Sequence, residues 1–574
     1  MIPFAAIQYL LFLLIVTFAV KPVGLYLVRV FNGEPTWLDP ALRPVERLIY
    51  RLGGIDPASE MGWKAYSIAF ILYGLLGTAF VFLLLLLQPL LQPADPNYQP
   101  GALSPLLALN TAVSFATTTT WQAYSGESAL SYLSQALALT SQNVLAGAAG
   151  LAVGMAFIRG FSRVRSETLG NFWVDVTRAT LWVLLPVTLV GALVLVGQGV
   201  PQNWYSYVTS VTVEGVKQVL PQGPVASLEF IKNLGTNGGG FFGANGAHPY
   251  ANPTPLTNFI GMLAIVIIPA SLTYTYGRMI NRQRHGWMLY WVMAALFAMG
   301  IALYHHYEQA GNPRIASLGV DMHVSTLQAG GNMEGKESRF GISQSVLAGI
   351  ATSNGATGST NASIDSNTPM GSAVLLVNML LGESIFGGLG TGLYSMVLVA
   401  LLAVFVTGLM IGRTPEYLGK TLGPDELKLI GLYTIIAPGV VLILTAIAVV
   451  VPAGLAALTT NSGPHGFTGI LLAYTSCFAN NGQSFGGMTV DSPFYHVTTV
   501  IAMLAGRFGL AVPALALAAS FARQGRREVT SGTLDTDGML FASALIGALL
   551  LVGGLSYLPA LAMGPIAEHL QLWH

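Results

Sequence analysis

The sequence predicts an all-α polytopic membrane protein with about ten transmembrane helices, arranged as four parallel helix–pore loop–helix pseudo-repeats. Three observations predict it. Of 574 residues, 53% are hydrophobic and only 9% are charged, whereas a soluble domain carries roughly 25% charged residues. Ten stretches come close to the ~20 apolar residues needed to cross a hydrocarbon core. Four further apolar stretches are too short to cross, end in small polar residues, and all fall on one side of the chain's topology.

The expected spans are residues 3–20, 67–89, 129–157, 179–197, 257–276, 286–304, 372–411, 429–452, 494–521 and 539–560. The stretch 372–411 is too long for one uninterrupted helix. Met1 to Val20 are apolar, and the basic residues start after them at Lys21. That is the wrong polarity for a cleaved signal, so this stretch reads as a first span. Alternate connections hold 19 of the 25 Lys and Arg, while the opposite ones hold five. The positive-inside rule then places both termini outside. The expected organisation is 1–66 first span and inner loop, 67–158 repeat one, 175–278 repeat two, 286–411 repeat three with a broken helix, 428–522 repeat four, and 539–560 last span.

Composition also excludes. Net charge is zero, which offers nothing to a nucleic acid, so lipid is the expected surroundings. The single Cys477 can form no internal disulfide and reads as a small buried hydrophobe. The nine histidines form no HExxH array and no zinc spacing. There is no GxxxxGK[ST] loop and no DKTGT-type phosphorylation stretch, so any ATP hydrolysis belongs to another chain.

The four short stretches read LNTAVSFATTTTWQ from Leu109, LEFIKNLGTNGGGFF from Leu228, SQSVLAGIATSNGATG from Ser343 and LLAYTSCFANNGQSFGG from Leu471. Each suggests a pore helix that dips in and returns. Irregular backbone at membrane depth survives only where it lines a cavity or is buried in protein. A ring of carbonyls there replaces the hydration shell of K+, and glycine supplies the φ angles that turn carbonyls inward. The candidate filter residues are Thr117, Thr118, Thr119 and Thr120, then Thr236, Asn237 and Gly238, then Ser353, Asn354 and Gly355, then Asn480, Asn481 and Gly482. The alternative is four outer turns rich in Gly and Asn. The outer segments also carry more acids than bases, which concentrates cations at the mouth or reflects solvated loop charge.

At this point the residues resemble a known family. The stretches LNTAVSF, WQAYSGES, IKNLGTNGGGFF, FANNGQSFGG, GESIFGGLGTGLY, GRTPEYLGK, FIRGFSR and LGNFWVDVTR look like the potassium-binding A subunit of the bacterial Kdp potassium-transporting ATPase. The resemblance runs essentially end to end. It implies a fold like K+ channels and K+ transporters, with K+ as transported ion and no organic cofactor. It also implies placement in the bacterial inner membrane beside a P-type ATPase catalytic subunit, a single-span C subunit and a small accessory peptide. K+ would enter the filter from outside and pass through an intramembrane tunnel to the ATPase. Gln122 matches a position tied to K+ affinity. Two departures are visible: four threonines in the first strand, and ATGSTNASID after Gly355.

Three further features bear on a pore. Gly387, Gly388, Gly390 and Gly392 break the long hydrophobic segment beside Glu383, as a gate or tunnel element or as a tight helix crossing. An acid at membrane depth is a functional candidate. Arg507 lies within the ninth span and either meets a pore-proximal carboxylate or carbonyl or snorkels to the interface. Arg413 opens an inner loop that docks the ATPase, caps the pore or simply follows the positive-inside rule. The competing function is a self-standing K+ channel-like symporter of the same superfamily. A membrane-embedded enzyme would need a catalytic cluster that the sequence lacks.

Overall fold

The computed structural model describes residues 4–91, 98–325, 328–410, 412, 415–527 and 535–573. Ten described helices are long and apolar enough to cross a membrane: Ala5–Asn32, Trp63–Leu86, Ser134–Ser162, Phe172–Gly197, Pro255–Met279, Gln283–Ser317, Thr391–Met410, Pro424–Val450, Pro493–Arg523 and Met539–Leu572. The count agrees with the hydropathy reading, but the ends differ. The first helix runs to Asn32, so Lys21 and Arg29 sit on the helix and not in an inner loop. Arg159, Arg178, Arg278, Arg284 and Lys428 likewise lie on helices near their ends. Long basic side chains can bury their stems and still keep their charged heads wet, so helices outrun the apolar text.

Four short helices sit between paired spans: Pro105–Ala116, Val225–Leu234, Gly341–Asn354 and Gly463–Phe478. The unit of span, short helix, coil and span therefore occurs four times. Several of its helices start on a hydroxyl residue followed by proline. The side chains of Ser104, Thr254, Thr368 and Ser492 each accept a hydrogen bond from the backbone N–H three residues on. The hydroxyl satisfies an otherwise orphaned donor, and proline in the first turn needs none.

Burial orders the spans around an axis. The second span of repeat one, Ser134–Ser162, is 94% buried, whereas the first and last spans are 28% and 17% buried. Small residues make the central position possible. A Cβ on Gly154 would stand 2.6 Å from the Gly390 Cα, and one on Gly160 would stand 2.5 Å from the Ala518 Cβ. Packing in lipid relies on such close backbone approach.

The segment 372–411 resolves as expected into two helices. Pro369–Leu380 ends, residues 381–390 turn, and Thr391–Met410 resumes. On the basic side of the molecule, Glu416–Tyr417 and Lys420–Thr421 form a small antiparallel hairpin. Its turn residues Leu418 and Gly419 both have positive φ, 55° and 76°. The turn buries Tyr417 and Lys420. The Lys420 ammonium donates to the carbonyls of Gly160, Arg163 and Phe521 at 3.2, 2.6 and 2.7 Å, where two helices end and their partial negative charge gathers. Arg413 lies outside the described residues.

Candidate cation pathway

Each short helix ends at the same kind of junction. Thr117, Gly235, Gly355 and Ala479 close the four helices. The next residue is in every case left-handed: Thr118 (φ 65°), Thr236 (51°), Ala356 (51°) and Asn480 (50°). Left-handed backbone is costly for residues with a side chain and most of all for threonine. Four such residues at equivalent positions mark a junction held by its surroundings.

The junction defines a common register. Thr118–Thr120, Thr236–Gly238, Ala356–Gly358 and Asn480–Gly482 are the four equivalent strands. This corrects the third assignment: Ser353 and Asn354 finish the helix and Gly355 caps it. The Asn-Gly dipeptide resembles those of the second and fourth repeats, but this helix runs three residues further. Ala356, Thr357 and Gly358 were missed. Counting from the helix end, instead of matching Asn-Gly, would have found them. Thr117 likewise caps its helix and is not in the strand.

The strands meet at one place. A Cβ on Gly238 would stand 2.8 Å from the Thr357 carbonyl oxygen, 2.9 Å from that of Asn481 and 3.0 Å from Thr120 Oγ1. One glycine of the second strand therefore touches all three others. Side chains tie the strands laterally. Asn480 Nδ2 donates to Thr119 Oγ1 at 2.9 Å, the Gly238 N–H donates to Thr120 Oγ1, and Asn481 Nδ2 donates to the Thr352 carbonyl at 2.8 Å. Gly482 packs its Cα on the Thr119 carbonyl. Gln122 Oε1 faces Gly239 and, with Asn237 Oδ1 and Gln483 Oε1, is a buried acceptor with no protein donor. The four helix C-termini that point into the junction add partial negative charge. Convergent oxygens and converging negative helix ends suit a dehydrated monovalent cation.

Beneath the strands lies a small cavity with room for about one water-sized sphere. Its lining includes the four left-handed residues Thr118, Thr236, Ala356 and Asn480, together with Glu383, Gly388 and Arg507. The broken segment is its floor. Leu389 N–H donates to Thr236 Oγ1 at 3.2 Å, and a Cβ on Gly388 would lie 3.4 Å from that of Ala356 and 3.5 Å from Glu383 Oε2. Glu383 is 6% exposed and left-handed (φ 56°). A Cβ on Gly390 would lie 2.5 Å from the Gly150 carbonyl, and one on Gly392 would lie 2.5 Å from the Gly387 N. Gly387, Gly390 and Gly392 are thus sites of close approach, whereas a Cβ on Gly388 would make only ordinary contacts, and the tight crossing also lines the cavity.

Arg507 does not snorkel. A π-bulge at Ala505–Gly509 interrupts its helix, as such bulges do at functional sites. Its guanidinium reaches Thr118 Oγ1 at 3.3 Å and the Ala146 carbonyl at 2.7 Å. It shares the cavity with Glu383 but forms no salt bridge with it among the described residues.

The description "Potassium-transporting ATPase A subunit" belongs to a family model that matches residues 10–570. The chain belongs to the potassium-transporting ATPase A subunit family. It is 50% identical over 565 residues to the potassium-transporting ATPase potassium-binding subunit of Rhodopseudomonas palustris, covering 98% of each chain. It is 48% identical over 583 residues to that of Koribacter versatilis, again covering 98% of each. Among solved structures it is similar to the potassium transporter TrkH from Vibrio parahaemolyticus, with TM-score 0.52 at 14% identity, covering 89% of this chain and 97% of that one. That likeness is one of fold. The family match takes in all four strands, the broken segment and Arg507.

Proposed function

We propose that this chain is the K+-binding and K+-translocating subunit of an ATP-driven, high-affinity uptake pump in a bacterial inner membrane, with both termini outside. The observation that carries the reading is the meeting of four equivalent strands over a single cavity. K+ loses water at the outer face of the strands and takes carbonyl and hydroxyl oxygens in exchange. It then enters the cavity, where Glu383 offsets the cost of charge and Arg507 opposes a second ion.

The way onward is sideways. Residues 381–390 close the floor, and the Tyr417–Lys420 hairpin packs beyond it. A second cavity shares Glu383 and Thr391 with the first and continues past Ser395, Tyr433 and Tyr557 toward the poorly buried last span. A lateral exit suits delivery to a neighbouring subunit. That neighbour is a P-type ATPase subunit, which hydrolyses ATP, with a single-span C subunit and a small accessory peptide completing the complex. Gln122 sits at the outer end of the first strand as an affinity determinant.

The test is K+-dependent growth of a strain lacking its own K+ pumps. Cells carrying the complex grow at low K+, and Gly238→Asp or Gln122→Arg abolishes that growth. Undiminished growth with either substitution refutes the filter assignment. K+ uptake by this chain expressed without any other subunit refutes the pump reading in favour of a self-standing transporter.

A further inference from the structure

The second short helix contains two charged residues that line neither the strands' meeting point nor the cavity below. Glu229 is 4% exposed and Lys232 is 0% exposed. Charge at this depth is expensive even when paired. The Lys232 ammonium lies 2.6 Å from the Glu229 carboxylate and also donates to the Asn245 carbonyl at 2.9 Å. Asn245 is left-handed (φ 54°), and its side-chain Oδ1 accepts from the Gly239 N–H at 3.0 Å. The Lys232 main-chain carbonyl accepts from the Asn237 N–H at 2.8 Å. One residue therefore fastens the strand on both sides of Gly238.

The common register shows why a charge stands here. The positions equivalent to Lys232 are Ser114, Thr352 and Ser476. Thr352 and Ser476 repeat the main-chain half of the anchor, accepting from Thr357 and Asn481 at 3.2 and 2.9 Å. Ser114 repeats the side-chain half, donating to the Trp121 carbonyl at 3.0 Å, and Trp121 is equivalent to Gly239. Only the second strand continues as Gly238-Gly239-Gly240. Three glycines carry no side chains to pack and the most backbone freedom to lose. A short Ser or Thr suffices elsewhere, in the fourth strand through its main-chain carbonyl alone, whereas this strand is held by a longer arm and a buried ion pair.

We propose that Glu229, Lys232 and Asn245 are positioning residues that fix the Gly238 carbonyl and thereby set discrimination between K+ and Na+; this rests on the filter reading above. The experiment uses the assembled complex and reads half-saturating K+, maximal rate and Na+ competition in K+-stimulated ATP hydrolysis. Glu229→Gln and Lys232→Met singly strand a buried charge and lower the amount of complex. The double variant removes both charges and restores the amount. Its half-saturating K+ rises about tenfold and Na+ competes better, with the maximal rate kept. Asn245→Gly keeps the left-handed backbone, removes Oδ1 and reproduces that shift. Wild-type half-saturation and Na+ rejection in either the double variant or Asn245→Gly overturn the proposal and leave the pair a structural staple. Gly238→Ala, assayed alongside, separates the two readings: if it too is silent, the filter assignment itself has failed.

Discussion

Gly238→Ala is the sharpest perturbation available, because the structure isolates its effect. Gly238 is absent from the glycines with positive φ, so alanine meets no backbone penalty there. The whole effect is steric. The new methyl stands 2.8 and 2.9 Å from two backbone carbonyl oxygens and 3.0 Å from Thr120 Oγ1, and real Cβ atoms rarely approach within 3.0 Å. Neither carbonyl belongs to a flexible side chain, so the strands themselves move apart by several tenths of an ångström. Overpacking of this kind costs about 1–3 kcal/mol. If the K+-bound arrangement bears that cost, affinity falls roughly 5- to 150-fold. The assay is K+-stimulated ATP hydrolysis by the purified complex across K+ concentrations, with Rb+ and Na+ in competition. Half-saturating K+ rises by that factor while thermal stability changes little. An unchanged half-saturation with unchanged discrimination would show that the strands do not meet the ion.

Two other outcomes follow from charge. Arg507→Gln removes the one cation that reaches Thr118 in the cavity among the described residues. A unit charge about 6 Å from the ion, at an effective dielectric near 20, is worth roughly 3 kcal/mol. ATP-independent Rb+ flux into proteoliposomes rises accordingly, and a leak no larger than wild type shows that Arg507 is not the barrier. In the first turn of the fourth short helix, His465 Nε2 and Nδ1 lie 2.9 and 2.8 Å from Asp365 and Glu568. Burial disfavours the imidazolium, but the hydrogen bonds to Asp365 and Glu568 outweigh it and push His465 up to about 9. A raised value means stability that is fully present below the unfolded histidine's ~6.5 and lost as pH rises through about 9. With the ring 27% exposed, the contribution is on the order of 1–2 kcal/mol. The melting temperature of the wild-type complex drops between pH 6.5 and 9.5 by more than that of His465→Gln; parallel slopes contradict the bridge.

Much of this protein is legible as text. Ten apolar stretches in 574 residues require ten crossings, because the bilayer accepts no unpaired backbone. The break is visible because the glycines of Ser384–Tyr394 disfavour a helix, although it opens earlier, at residue 381, and Gly392 already lies in the resumed helix. The second and fourth strands, and the first from Thr118 onward, could be placed because each begins just where the short helix's apolar text ends. The third could not. Ser353-Asn354-Gly355 carries the right residues, yet helix propagation depends on packing, and Ile350 and Ala351 are buried in the core. The helix therefore continues three residues past the point where composition suggests a stop.

What the sequence by itself determined is local or periodic: crossings, repeat, glycine break and the membrane-depth positions of Glu383 and Arg507. What only the tertiary structure decided is which distant groups meet. Nothing in the order of residues says that Gly238 touches Thr120, Thr357 and Asn481. Nor does it say that Arg507 reaches Thr118, 389 residues away, or that Lys420 closes the ends of two helices. Those contacts depend on how four repeats pack around one axis. Hydropathy reports how much surface each segment must hide from water and says nothing about which neighbour hides it.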